Sequence, residues 1–216
     1  MEIKWLGQSC FRIKGKYTTI ITDPFSDDIG YSLGKQKAEI VTVSHQHSDH
    51  NNTDAIDGNP KKVTGPGEYE IIGGNDKDAV IILGIATFHD NAGGQKLGNN
   101  TVYLMEIDEL SVCHLGDLGH ILTDEQVEEL GHIDILMVPV GGKTTLDAQA
   151  AAELVRKLEP SVVIPMHYKT DAVSMELDPV DRFLKEIGIN GIEPQPKLLL
   201  SKSNLPQNTQ VFLLQY

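Results

Sequence analysis

Apolar and polar positions along this chain alternate in short runs near the N-terminus and at longer, helical spacing only later. Glu2 to Leu6, Ser9 to Lys14 and Thr18 to Thr22 read as three short strands separated by Gly7 and the Lys14-Gly15-Lys16 turn. Asp23-Pro24 closes the third, because proline after aspartate stops a strand and sets a turn. A polar, glycine-containing stretch from Ser26 to Lys37 reads as a loop. Ile40-Val41-Thr42-Val43 then forms a compact β-branched run with the character of a buried strand. Thr53 to Ile56 suggests one helical turn. Lys61 to Leu83 is again strand-like, broken at Gly65-Pro66-Gly67 and Gly73-Gly74, and Ile85 to Phe88 leads directly to His89-Asp90. Asn91 to Asn100, with three glycines and no periodicity, is either a substrate cover beside His89 or an ordinary long hairpin loop. Thr101 to Ile107 and Ser111 to Leu115 are the next strands.

Three helices carry clear boundary signals. Thr123 with Gln126 makes a capping box, Leu122 and Val127 are spaced for a hydrophobic staple, and Gly131 ends the first. The second follows a strand over Ile133 to Val140 and the Gly141-Gly142 turn. Thr144 with Asp147 supplies its capping pattern, Leu146, Ala150, Leu154 and Leu158 its buried face, and Pro160 its stop. The third starts at Asp178-Pro179 as cap and first-turn proline, shows Phe183, Leu184 and Ile187 inward, and ends at Gly188. Ser161 to Pro165, Lys197 to Ser201 and Gln210 to Leu214 complete the strands. One domain over residues 1–216 is expected at this length.

Candidate chemistry gathers at strand ends. His45, His47, Asp49 and His50 lie within six residues, directly after the Ile40–Val43 run. A strand end is where a rigid scaffold delivers reactive side chains. His45 and His47, two apart, face one side in extended chain, while Asp49 and His50 present others, which suits two ions better than one. His89 and His167 also follow apolar strands, and Asp117 follows another at Gly116. A surface turn that happens to be rich in histidine leaves this repeated placement unexplained. The seven side chains divide into His45, His47 and His89 on one ion and Asp49, His50 and His167 on a second, with Asp117 bridging. Imidazole and carboxylate donors suit a divalent first-row metal: zinc first, manganese or iron as alternatives. Two such ions about 3.5–4 Å apart would generate a hydroxide nucleophile near neutral pH and polarise a carbonyl or phosphoryl oxygen. Asp49 and Asp117 are the carboxylates expected to take part in catalysis. Asp23 reads first as a turn residue, and alternatively as a carboxylate that orients a ligand histidine.

These residues carry a resemblance to the metallo-β-lactamase superfamily, whose signature is H-x-H-x-D-H. The ordered markers are Thr22-Asp23-Pro24, His45 to His50, Phe88-His89-Asp90, His114-Leu115-Gly116-Asp117 and Met166-His167-Tyr168, so the match spans essentially the whole chain. The resemblance implies an α/β fold, a four-layer αβ/βα sandwich with the metals where the strands end. It also agrees with the ligand partition and raises Asp23 to a role behind the ligands. Aspartate at position 117 differs from the secreted zinc β-lactamases that use a cysteine ligand, and no glyoxalase II-like substrate domain is evident. His114 to His120 and Val138-Pro139-Val140-Gly141-Gly142 resemble a compact bacterial and archaeal branch, similar to L-ascorbate-6-phosphate lactonases and to phosphodiesterases of the same fold.

The remaining candidates are weaker. His120, Lys143 and Tyr168 lie near the expected mouth as substrate contacts. His114 reads as a hydrogen-bonded structural residue and His132 as a surface one. No separate general acid is evident.

Composition narrows the partners. The net charge is −13, from 18 Lys and Arg against 31 Asp and Glu, the wrong sign for non-specific nucleic-acid binding. An RNA-processing phosphodiesterase is therefore a lesser alternative, as is a metal-binding or ligand-sensing module with little catalysis. No apolar run has membrane-span length, and the N-terminus lacks a signal-peptide pattern. The two cysteines, Cys10 and Cys113, lie far apart in strand-like runs as small buried hydrophobes. A cytoplasmic hydrolase of a small ester, lactone or phosphodiester, anionic substrates included, is the expectation.

Overall fold

The computed structural model describes residues 1–72 and 79–216, so the Gly73-Gly74 break expected from sequence lies outside the described residues. Chain order gives the strands β1 (Glu2–Gly7), β2 (Cys10–Lys14), β3 (Thr19–Thr22), β4 (Gln36–Lys37), β5 (Ile40–Val43), β6 (Ile56–Asp57) and β7 (Lys61–Thr64). They are followed by β8 (Gly67–Ile71), β9 (Val80–Phe88), β10 (Asn99–Ile107), β11 (Leu110–His114), β12 (Ile135–Pro139), β13 (Val162–Met166), β14 (Leu198–Leu199) and β15 (Gln210–Val211). The helices are α1 (Asp124–Leu130), α2 (Ala148–Leu158) and α3 (Val180–Glu186).

One sheet has the order β14-β1-β2-β3-β5-β7 and the other β15-β13-β12-β11-β10-β9-β8, with β4 and β6 pairing separately. β1 alternates half-buried and buried residues, as a strand with one face on a core must. β5, β12 and β13 are buried throughout, which is why they read as continuous apolar runs. Ile3, Phe11, Ile21 and Val41 of the first sheet join Ile82, Met105, Leu136 and Ile164 of the second in one apolar core. Each such side chain contributes about 1.5–3 kcal/mol on full burial. Two mixed sheets sharing one core, with few helices, give the α/β class expected.

Pairing direction decides where the reactive ends emerge. β3, β5 and β7 run parallel, so Asp23 and Ser44-His45 leave the first sheet at one edge. β11, β12 and β13 are likewise parallel, which brings the segments after His114, Pro139 and Met166 to one edge of the second. β9 and β11 both pair antiparallel with β10, so His89 emerges at that edge too.

Several sequence expectations shift. α1 has the full Thr123–Gln126 capping box. In α2 the cap is Asp147, whose side chain accepts from the Ala150 N–H, and not Thr144. Thr144 is held instead in a turn on the Gly142 carbonyl. The buried face of α2 is Ala151, Ala152, Leu154, Val155 and Leu158, with Ala150 only half-buried, because the helix contacts both β12 and α3 and so needs a wider apolar stripe than one row of residues. Pro179 stands at the cap of α3, and Asp178 before it pairs with Arg182 at 2.7 Å. β9 runs unbroken through Gly84, where an added Cβ would meet the Gly65 carbonyl oxygen at 2.8 Å. The Asn91 to Asn100 segment includes the connection of the β9–β10 hairpin. Asp90 gathers it by accepting from the backbone N–H groups of Leu97, Lys96, Ala92 and Gly94 at 2.7–2.9 Å. Those four donors, Leu97 foremost, hold the Asp90 carboxyl down at about 2. No helix of the described residues is long and apolar enough to cross a membrane.

Candidate metal centre

Seven side chains converge where the two sheets expose these ends. They form two groups, His45, His47 and His89 in one and Asp49, His50, Asp117 and His167 in the other, with the potential ligand atoms of each group within 4.8 Å of one another. All are buried except the exposed His47 and the half-buried Asp49. The tertiary structure thus brings together every residue that the sequence nominated as a ligand, with Asp117 grouped with Asp49, His50 and His167. Asp117 stands between them. Its Oδ2 lies 3.2 Å from Nε2 of His50, 3.2 Å from Nε2 of His167 and 3.3 Å from Nε2 of His89.

Backbone geometry forces this convergence. His167 has a left-handed φ of 52°, which turns its ring out of the β13 direction, and its N–H donates to the Gln8 carbonyl at 3.2 Å. Asp117 N–H donates to the Asn100 side-chain oxygen at 3.0 Å, and the Asn100 amide donates to Thr87 and to the Leu115 carbonyl. At Gly119 an added Cβ would lie 2.5 Å from the Asp90 backbone, so only glycine lets this loop pass against His89-Asp90.

Hydrogen bonds fix which ring nitrogen faces inward. His50 Nδ1 donates to Asp23 Oδ2 at 2.9 Å, leaving Nε2 toward Asp117. Asp23, fully buried, also accepts from the Ser44 N–H at 2.7 Å and from the Ser44 hydroxyl. That hydroxyl oxygen accepts in turn from His45 Nδ1 at 2.9 Å, so His45 Nε2 faces His47 Nδ1 at 2.9 Å. His89 Nδ1 donates to the Thr144 carbonyl at 2.9 Å. The carboxylate–histidine pairing that orients metal-binding imidazoles is therefore present at His50 directly and at His45 through Ser44.

The electrostatics of this donor set call for a cation. Burial and the neighbouring His50 push His45 down to about 3, so it is a neutral lone-pair donor. Burial opposes ionisation of Asp117, yet His167 and His50 hold it well below the usual carboxylate range. His50 is pulled the other way: burial lowers it, but Asp117, Asp23 and Asp49 raise it well above the ordinary histidine value. None of these three carboxylates has a lysine or arginine partner among the described residues. Nε2 of His50 and both ring nitrogens of His167 are buried without a hydrogen-bond partner there. Buried polar nitrogens aimed at a carboxylate in this way fit divalent ions with nitrogen and oxygen donors.

The other nominated residues lie nearby in different settings. Both His120 nitrogens are engaged, Nδ1 with the Ile121 carbonyl and Nε2 with the Phe88 N–H. Tyr168 is buried with its ring stacked on Trp5 at 5.0 Å. Lys143 is exposed, 3.8 Å from Glu176, beside the Thr144 carbonyl that holds His89. His114 uses both nitrogens internally, on the Ser9 carbonyl and the Gly116 N–H. His132 is exposed and reaches Asp134 at 3.0 Å. Gln8, Ser9, Ser44, Asn100 and Thr144 were not legible as site residues. Only Ser44 had a local signal, its place between the β5 run and His45.

A mixed two-sheet sandwich with paired histidine–aspartate clusters at the strand ends defines a metallo-hydrolase-like protein. The family model described as "Beta-lactamase superfamily domain" matches residues 2–167, and the chain belongs to that superfamily. It is 30% identical over 205 residues to a UPF0173 protein of Pyrococcus furiosus, covering 87% of this chain and 90% of the relative. To the UPF0173 metal-dependent hydrolase of Thermoplasma volcanium it is 31% identical over 203 residues, covering 83% and 88%. A crystal structure of a candidate Zn-dependent hydrolase of the metallo-β-lactamase superfamily from Thermotoga maritima superposes with a TM-score of 0.80 at 39% identity, covering 99% of this chain and 97% of that one. The chain thus lies on the metal-dependent hydrolase side of the superfamily.

Proposed function

We propose that this chain hydrolyses a small ester, lactone or phosphodiester with two divalent ions, zinc in the first instance. The observation that carries the proposal is the convergence of three imidazole Nε2 atoms on one carboxylate oxygen of Asp117 at 3.2–3.3 Å. His45, His47 and His89 would hold one ion, Asp49, His50 and His167 the other, and Asp117 both. When bound, such ions supply Lewis acidity and a water activated near neutral pH. The chain's own residues do the rest. Asp23 and Ser44 hold Nδ1 of His50 and His45, and the Thr144 carbonyl holds Nδ1 of His89, so that each ring presents Nε2 to the cluster. Asp49, with 15% of its side chain exposed, is the most open of the three carboxylates and the one suited to exchange a proton with substrate. A wall of Ser44, Gln46, Thr64, Asn99 and Thr101 beside His45 and His47 borders a cavity of about 450 Å³, room for a small substrate. The acidic surface disfavours an RNA substrate, which would be steered by basic groups. A cytoplasmic location accords with the two cysteines, both free and buried.

The test is metal content per chain, paired with turnover of bis(p-nitrophenyl) phosphate and of simple γ-lactones with and without chelator. Two ions and chelator-sensitive turnover are expected. Full turnover in metal-free protein would overturn the proposal.

A further inference from the structure

We propose that Gln8, in the turn between β1 and β2, is a positioning residue for Asp49 and so for the second of the two ions. The inference rests on the two-ion reading above. Gln8 is 1% exposed and has a left-handed φ of 52°, an uncommon backbone state for a residue with a long side chain. Its Nε2 donates to Asp49 Oδ2 at 3.1 Å, the carboxylate oxygen that lies 3.3 Å from His50 Nε2. The same amide nitrogen also lies 3.5 Å from the Met175 sulfur. Its backbone carbonyl accepts from the His167 N–H and from the Trp5 indole at 2.9 Å. One residue therefore touches two members of the second cluster, by side chain and by main chain. Ser9 next to it donates from its hydroxyl to Asp117 Oδ1 at 3.3 Å, so the turn reaches a third member.

The amide's other end makes the case specific. Gln8 Oε1 is buried without a hydrogen-bond partner among the described residues. A buried amide held only for packing would turn to satisfy its oxygen. Here rotation would set that oxygen against the Asp49 carboxylate, so the amide is held donor-first by Asp49. Groups that orient a ligand in this way typically change metal affinity by about 10–100-fold when lost.

Gln8→Glu keeps the shape and removes the donor. Gln8→Asn keeps the amide and the tolerance for a left-handed backbone but shortens the reach. Zinc affinity at each step is measured by chelator competition on metal-free protein, with Co(II) absorption reporting the geometry of the second ion. In both variants the ion held by Asp49, His50 and His167 should lose about 10–100-fold in affinity and change its Co(II) spectrum, while the ion of the His45 group keeps its affinity. Folded variants that bind both ions as wild type does would overturn the role of Gln8 and leave the two-ion reading intact. Wild-type protein that takes up fewer than two ions would overturn that reading, and the role of Gln8 with it. If neither variant folds, Gln8 belongs to the fold and the proposal fails.

Discussion

Asp23 Oδ2 accepts from His50 Nδ1 at 2.9 Å, and through the Ser44 hydroxyl the same carboxylate also sets the tautomer of His45. One buried group thus orients an imidazole in each cluster. Asp23→Asn should weaken both ions by about 10–100-fold, as loss of such outer partners does elsewhere. Ser44→Ala should weaken the His45 ion more than the other. Chelator competition on the two variants checks this, and equal effects at both ions in Ser44→Ala would contradict it.

Among the described residues, Asp117 is the one carboxylate that pairs with histidines of both groups. Asp117→Ala should therefore reduce occupancy at both positions, by more than the roughly 100-fold upper range for outer partners. Metal analysis after gel filtration reads the result. Retention of two tightly bound ions would mean that the division of ligands is wrong. His114→Ala is the control, because both His114 nitrogens are spent on Ser9 and Gly116, and its metal content should stay near wild type.

Metal removal should lower thermal stability. A free ion at about 100 times its Kd stabilises by roughly 2.7 kcal/mol, which for a chain of this size is about 5–11 °C in Tm. Calorimetry with zinc and with excess chelator gives the difference. A Tm unaffected by chelation would show that the clusters bind no ion in the folded state.

Gly119 faces the Asp90 backbone with no room for a side chain. Gly119→Ala should destabilise by about 1–3 kcal/mol through overpacking and displace the His89 segment. Chemical denaturation measures the first effect, and zinc affinity of the His45 group the second. An unchanged midpoint would refute the steric argument.

Asp134 lies far from the metal groups and anchors β11 to the C-terminal segment. It accepts from the Ser111 N–H and hydroxyl, from His132 and from Lys202 at 3.0–3.3 Å. Burial pushes its carboxyl up, but Ser111, Lys202 and His132 outweigh this and hold it below the ordinary value of 3.8. A carboxyl lowered on folding adds stability above its unfolded pKa, and loses that contribution as pH falls through the folded value. Asp134→Asn should cost about 1–3 kcal/mol at neutral pH. The gap from wild type should persist at pH 5 and shrink below about pH 4. Urea melts across this range test it, and a gap that widened on acidification would reverse the assignment.

The sequence by itself determined the longer strands, because apolar runs such as Ile40–Val43 and Val162–Met166 are buried on both faces and need no partner to be recognised; the two-residue β4 and β6 fall where a loop and a helical turn were expected, since only their mutual pairing makes them strands. It also determined all seven ligand candidates, since each follows a strand, and the capping box of α1, which is closed within four residues. The choice between Thr144 and Asp147 as the cap of α2 was beyond it. Both residue types cap well, and Thr144 is held back in a turn whose carbonyl serves His89, 55 residues earlier. Asp23 could be read as a turn residue until β3 and β5 were seen to run parallel and deliver it against Ser44 and His50. Gln8 and Asn100 gave no local signal at all, because their partners lie 41 and 17 residues away. Periodicity and caps act between near neighbours, whereas the groups that orient the ligands meet only through strand pairing and sheet packing, and that is what the tertiary structure decided.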